Sequence, residues 1–257
     1  MFDLELTGRV AIITGGSDGL GRATALRLAA EGCHVVICAR RRDHLEAAAA
    51  ELTKESGGTV IAQPADVSVP ADIEALVAAT VERLGGVDIL VNNAGASAAS
   101  ALEDLDDAAW QADIELKLMA AVRLCRATVP LMRERGGGAI VNATIWGGKA
   151  PSARSLPTSV TRAAGINLTK SLANEFAADQ IRVNTICIGL IKSAQWDRRA
   201  GDGPVDEVYA QMAARVPLGR VGEAAEYADL VAFLVSERAR YITGTVVNLD
   251  GGMSPVV

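Results

Sequence analysis

The chain has 257 residues, half of them hydrophobic and 22% charged, which reads as one domain over residues 1–257 with a sizeable core. A formal net charge of −6 and a pI near 5.1 argue against a nucleic-acid partner or an anionic membrane surface. Cys33, Cys38, Cys125 and Cys187 show no CxxC or metal-ligand spacing, so buried free thiols in a reducing cytoplasm are expected.

The N-terminal stretch lacks a basic region and a long apolar run, so neither a signal peptide nor a membrane span is expected. Only two histidines occur, His34 and His44, and no metal site is expected. Short Val/Ile-rich runs at 10–14, 35–39, 60–64, 89–92, 139–143, 183–188 and 246–249 predict seven strands. They are continuous rather than alternating, the pattern of a parallel sheet covered on both faces. Helical spacing fills 23–31, 42–55, 70–83, 106–134, 157–178 and 223–236. The alternation predicts an α/β fold, a doubly wound parallel seven-stranded sheet of Rossmann type. The glycine- and proline-rich stretch 200–204 reads as a mobile loop inside the domain.

The first strand runs into Thr14-Gly15-Gly16-Ser17-Asp18-Gly19-Leu20-Gly21 and then a helix. Glycines let the backbone turn tightly against a pyrophosphate, and the following helix start offers N–H groups and positive dipole, so a dinucleotide is expected. After the second strand come Arg40, Arg41 and Arg42, with no carboxylate before Asp43. Guanidinium groups suit a ribose 2′-phosphate, which favours NADP(H), with NAD as the alternative. A solvated basic helix start is the plainer reading, and Asp18 lies where it repels that phosphate.

These marks, with Asp66-Val67, Asn92-Asn93-Ala94-Gly95, Arg182-Val183-Asn184, Pro217-Leu218-Gly219-Arg220 and Asp250-Gly251-Gly252, resemble the classical short-chain dehydrogenase/reductase family along essentially the whole chain. The resemblance implies that Asp66 and Val67 meet the adenine and that Asn93, Ala94 and Gly95 line the cofactor. It also implies that Ile191 and Ser193 lie near the nicotinamide, with Ile188 where relatives have proline. A homotetramer or homodimer through the helices at 106–134 and 157–178 is likewise implied, although an apolar helix buried within one subunit would read the same way.

Relatives carry a Tyr-x-x-x-Lys pair, an upstream serine and an asparagine on the preceding helix. Here no tyrosine occurs before Tyr209. Alignment on Lys170-Ser171-Leu172-Ala173 puts Thr158 at the tyrosine position, Arg162 at the lysine position, Ile145 with Thr144 beside it at the serine position, and Lys117 at the asparagine position. An aliphatic hydroxyl is a weaker acid than a phenol, Ile145 has no hydrogen-bonding group, and Arg162 can grip ribose hydroxyls but not shuttle protons. Lys117, beside a second cation, is a candidate acid, base or Schiff-base nucleophile. Its plainer alternatives are reaching to solvent or pairing with Asp113 or Glu115. Trp146 and Trp196 are expected to flank an apolar substrate cleft or simply to pack. The segment 192–204 is expected to cover that cleft or to be solvated, and Lys149 to lie on the surface.

Three readings follow. The chain is an oxidoreductase on a carbonyl or alcohol with an atypical proton path through Lys117, Thr144, Thr158 or water, and with Arg162 in the site. Or it is a repurposed enzyme with lyase, aldolase, dehalogenase or hydration chemistry; the halohydrin dehalogenases place arginine where Arg162 stands but keep serine and tyrosine. Or it is a non-catalytic dinucleotide-binding protein.

Overall fold

The computed structural model describes residues 3–193 and 204–257. Seven strands, β1 (Val10–Thr14), β2 (His34–Cys38), β3 (Thr59–Ala62), β4 (Ile89–Asn92), β5 (Gly138–Ile145), β6 (Ile181–Ile188) and β7 (Val246–Leu249), form one sheet in the order β3-β2-β1-β4-β5-β6-β7. Every neighbouring pair is parallel. The chain steps outward from β1 to β3 and restarts beside β1 with β4. That reversal opens a crevice at the C-terminal ends of β1 and β4, where doubly wound sheets bind ligands.

Among the described residues the α-helices are α1 (Gly19–Ala30), α2 (Arg42–Ser56), α3 (Pro70–Leu84), α4 (Asp107–Ile114), α5 (Ala120–Glu134), α6 (Thr158–Glu175), α7 (Val205–Ala213) and α8 (Ala224–Val235). Their ends follow local chemistry. Pro70 opens α3, where its missing N–H has no partner to lose, and Gly85 ends it at φ 79°. Glu223 and Glu226 form a reciprocal capping box on α8. One sheet face buries Leu28 of α1, Leu45 and Leu52 of α2 and Tyr227 and Val231 of α8. The other buries Ile73 and Leu76 of α3 and Leu124, Val129 and Met132 of α5. All four cysteines are buried and free, as composition predicts. Among the described residues no helix is long and apolar enough to cross a membrane, and no cluster of metal-ligating side chains occurs.

The elements depart from expectation in several places, among them the helix Val205–Ala213, which the sequence spacing does not predict, and α6, which ends at Glu175 rather than residue 178. The first helix starts at Gly19, inside the glycine loop rather than at residue 23, because the Asp18 carboxylate caps it. β2 and β3 each begin one residue earlier than expected, with β3 ending at Ala62 instead of residue 64. β5 and β6 are longer than expected, β5 at both ends and β6 at its start, because their ladder runs from Gly138↔Ile181 to Ile145↔Ile188. The helix expected over 106–134 is broken by one π turn, Glu115–Met119, where the Ala120 N–H reaches the Glu115 carbonyl. Hydrophobic spacing does not mark such a single-residue slip. The residues 194–203, which include Trp196 and the stretch 200–203, lie outside the described residues.

Candidate active site

At the crevice the glycine loop is locked to β4. Thr14 Oγ1 accepts from the N–H groups of Asn93 and Ala94, both at 2.9 Å, and Asn93 Nδ2 donates to the Thr14 carbonyl at 2.9 Å. Gly15 takes φ 65°, a left-handed conformation that favours glycine. A Cβ on Gly21 would lie 2.2 Å from the Gly15 carbonyl oxygen, so only glycine fits where helix and loop meet. Asp18 Oδ1 accepts the Gly19 N–H at 3.0 Å, which gives this carboxylate a helix-capping role. Arg42 pairs with Glu46 on α2, while Arg40 and Arg41 are exposed at the C-terminal edge of the sheet. Partial burial opposes ionisation of Asp66, yet the Ser68 hydroxyl and N–H, helped by Arg40, hold its carboxyl below the usual range.

A cleft of about 370 Å³ runs from this loop to the strand ends. Of the residues expected at a cofactor or in catalysis, Gly15, Asp18, Gly19, Leu20, Asn93, Ala94, Gly95, Thr144, Thr158, Arg162, Ile191 and Ser193 line it. Thr14, Val67 and Lys117 line a smaller neighbouring cavity beneath. Ser17 is buried, and Gly21, Arg40, Arg41 and Asp66 line neither space. Ile145, Trp146, Ile188 and Leu190 give the cleft an apolar wall. Lys149, expected at the surface, is half-buried, and its Nζ donates to Asn248 Oδ1 at 2.7 Å, tying the segment after β5 to β7.

The π turn carries Lys117 inward. Its side chain has no exposed surface and is paired with Asp113, one turn back on α4 and itself 2% exposed. That resolves the open alternatives: Lys117 does not reach solvent, and Glu115 instead pairs with Arg123. Lys117 Nζ also donates to Thr158 Oγ1 at 2.8 Å, and the Ala98 N–H donates to the same oxygen at 3.2 Å. Thr158 is set there by a bridge between Ser100 and Leu156, which draws the segment after β4 against the start of α6. Thr161 Oγ1 donates to the second oxygen of Asp113 at 2.6 Å. Asp113 is one of the two carboxylates that the sequence offers Lys117, and Thr161 is the site residue that sequence reasoning misses, because nothing in the spacing links position 161 to it. The spacing of positions 113 and 117, one helical turn apart, favours the Asp113 partner.

Arg162 donates from Nη1 to the Ala143 carbonyl at 2.7 Å, and its Nε is buried with no protein partner. A Cβ on Gly95 would lie 2.4 Å from Nη2, so glycine there is what admits the guanidinium. Burial pulls Lys117 below the ordinary lysine range and Arg162 adds to this, while Asp113 opposes both. Burial likewise lowers Arg162, again opposed by Asp113, but a guanidinium stays charged. The Thr144 hydroxyl contacts Cys187 Sγ at 3.1 Å and the Ile186 carbonyl at 3.4 Å.

The comparisons agree with this architecture. A family profile described as enoyl-(acyl carrier protein) reductase matches residues 15–254. Dehydrogenase/reductase SDR family member 4 of Oryctolagus cuniculus is 36% identical over 252 residues, covering 96% of this chain and 94% of that protein. L-sorbose reductase from Gluconobacter frateurii, solved with NADPH and L-sorbose, is 38% identical with a TM-score of 0.96, each chain covered in full. An NADPH-bound short chain oxidoreductase from Pseudomonas aeruginosa PAO1, described as containing an atypical catalytic center, is 36% identical with a TM-score of 0.91. It is covered to 98% and this chain to 97%. With a matching profile over nearly its whole length and relatives this similar, the chain belongs to the short-chain dehydrogenase/reductase family.

Proposed function

We propose that the chain is an NADPH-dependent carbonyl reductase whose proton path runs from Lys117 through Thr158. The observation that carries this reading is the state of Thr158 Oγ1. It accepts from both Lys117 Nζ and the Ala98 N–H, so its acceptor capacity is filled and its own hydrogen is the bond left to give. Thr158 lines the cleft, so that hydrogen is offered to a substrate oxygen. The same ion pair speaks against a Schiff-base role, since an ammonium held by a carboxylate is not a nucleophile.

The residues fit the cofactor. The orphaned Nε and the Nη2 of Arg162 are donors suited to ribose hydroxyls, and Gly15, Gly19 and Gly95 leave the backbone bare along the cleft. Arg40 and Arg41 would hold a 2′-phosphate, and the NADPH bound in the sorbose reductase and in the Pseudomonas oxidoreductase supports the same choice. When bound, NADPH would supply a hydride for the carbonyl carbon. Thr158 then gives its hydroxyl proton to the substrate oxygen and takes one from the Lys117 ammonium, which is left as an amine facing Asp113. Ile145, Trp146 and Leu190 shape the cleft for an apolar ketone, without the hydroxyl that relatives use to orient the carbonyl. We further propose a homotetramer or homodimer, on family resemblance.

The test is NADPH oxidation by the purified protein across a panel of apolar ketones. Loss of a positioned general acid lowers the rate by ~10²–10⁴-fold. Lys117→Met and Thr158→Val are each expected to lose that much in kcat with NADPH affinity kept. Absence of turnover in the unmodified protein, or full turnover in Lys117→Met, overturns the reading.

A further inference from the structure

We propose that Asp113 is a positioning residue which keeps Lys117 charged and aimed at Thr158, with Thr161 fixing the carboxylate. The proposal deepens the reading above and rests on it. Lys117 and Asp113 are both fully enclosed, one helical turn apart across the π turn. One Asp113 oxygen takes Lys117 and the other takes the Thr161 hydroxyl at 2.6 Å. The carboxylate therefore cannot rotate without breaking one of the two contacts.

The charges around Lys117 are few. α4 contributes Asp113, and α6 contributes Arg162. Glu115, on the same turn as Lys117, is engaged by Arg123 and Gln111. From β4 and β5 come Asn92, Asn142 and Thr144, which carry no charge. Two cations in an enclosed space with no anion would drive the weaker one to shed its proton. Among the described residues Asp113 is the only anion in contact with Lys117, and without it burial and Arg162 push the lysine further toward a neutral amine with no proton to pass on. The contact is also directional. Asp113 draws the ammonium along α4 while Thr158 receives one of its protons at 2.8 Å.

The sign of the effect on pH dependence follows. Reduction needs protonated Lys117, so the rate falls as pH rises through the pKa of Lys117. Asp113 raises that pKa against burial and Arg162, so Asp113→Asn moves the falling limb to lower pH.

Two measurements test the proposal. In the first, the pH profile of kcat and the NADPH dissociation constant are compared for the unmodified protein, Asp113→Asn, Asp113→Glu and Thr161→Val. Asp113→Asn is expected to lose at least tenfold in kcat at neutral pH, with the limb displaced and NADPH affinity within twofold. Asp113→Glu is expected to recover part of the rate, and Thr161→Val to shift the limb in the same direction by less. A fall in rate with an unmoved limb means a structural role alone and overturns the proposal. In the second, the Lys117 side-chain nitrogen is followed by NMR in uniformly ¹⁵N-labelled protein without substrate, assigned by its loss in Lys117→Met. Its titration midpoint is expected to drop in Asp113→Asn and also, by less, in Thr161→Val, which keeps the fold if the asparagine variant does not. An unchanged midpoint overturns the proposal. Because this second readout needs no turnover, failure of the reductase reading and failure of the Asp113 assignment are told apart.

Discussion

Gly95→Ala is the most economical test of how Arg162 is held. Gly95 is exposed and its φ is not positive, so alanine brings no backbone strain. Its new Cβ would lie 2.4 Å from Arg162 Nη2, where ordinary contact begins at 3.4 Å, so the guanidinium must retreat by about 1 Å. That retreat strains the Nη1 bond to the Ala143 carbonyl, 2.7 Å long, and lengthens it by up to about 1 Å, enough to break it when the motion runs along the bond. A hydrogen bond from a charged donor contributes ~1.5–3 kcal/mol, and each 1.4 kcal/mol is about tenfold in affinity. If Arg162 grips the cofactor ribose, displacing it removes a bond of that kind from the ribose, so NADPH affinity measured by fluorescence titration is expected to weaken by about 10- to 100-fold, while the lost bond to Ala143 lowers the melting temperature by several degrees. Adding Arg162→Lys, which removes the clashing prong, is expected to recover part of the loss. An affinity within twofold of the original would refute the argument that Gly95 exists to admit Arg162.

Replacing Arg40 and Arg41 together by alanine should weaken NADPH by at least tenfold and leave NADH unchanged; equal losses for both would remove the 2′-phosphate assignment. Tyr227→Phe should raise the urea midpoint, since the Tyr227 hydroxyl is fully buried with no partner and an orphaned polar group costs ~1–3 kcal/mol; a lower midpoint would point to a contact the structure does not contain. Burial pushes the thiols of Cys33, Cys38 and Cys125 up to about 12. Their pKa is raised in the folded state, so the stability they contribute is intact below the ordinary thiol value of 9.0 and is lost as pH rises from there towards 12. Each contributes a slope of ~1.4 kcal/mol per pH unit in that window. Urea unfolding at pH 8 and pH 10.5 should show a steeper alkaline decline than in a variant with alanine at all three positions, and parallel declines would contradict it.

What was legible in the sequence is what depends on local pattern. Continuous Val/Ile runs gave seven strands because a sheet covered on both faces needs apolar side chains on both. The loop from Thr14 to Gly21 announced its own geometry, since residues at Gly15 and Gly21 have no room or no allowed conformation for a side chain. Spacing alone left Lys117 with two carboxylates to choose from and solvent besides. The choice was made by the π turn, a slip in backbone pairing that no hydrophobic period records. Thr158 met Lys117 only because the Ser100–Leu156 bridge drew two segments together across more than fifty residues of chain. Contacts of that kind are set by tertiary packing, and the sequence holds no local trace of them.

The π turn also uncouples chain length from docking. A π turn takes up one residue more than an α turn while letting the helices on either side keep their facing. The seam of Leu124, Val129 and Met132 against the sheet is therefore indifferent to whether the residues Glu115–Met119 number five or four. Shortening the turn by one would leave a folded chain with a regular helix, in which Lys117 no longer meets Thr158. Gain or loss of a single codon there would move Lys117 relative to Thr158 without touching the core, so the scaffold and the proposed proton path can vary independently at this one point.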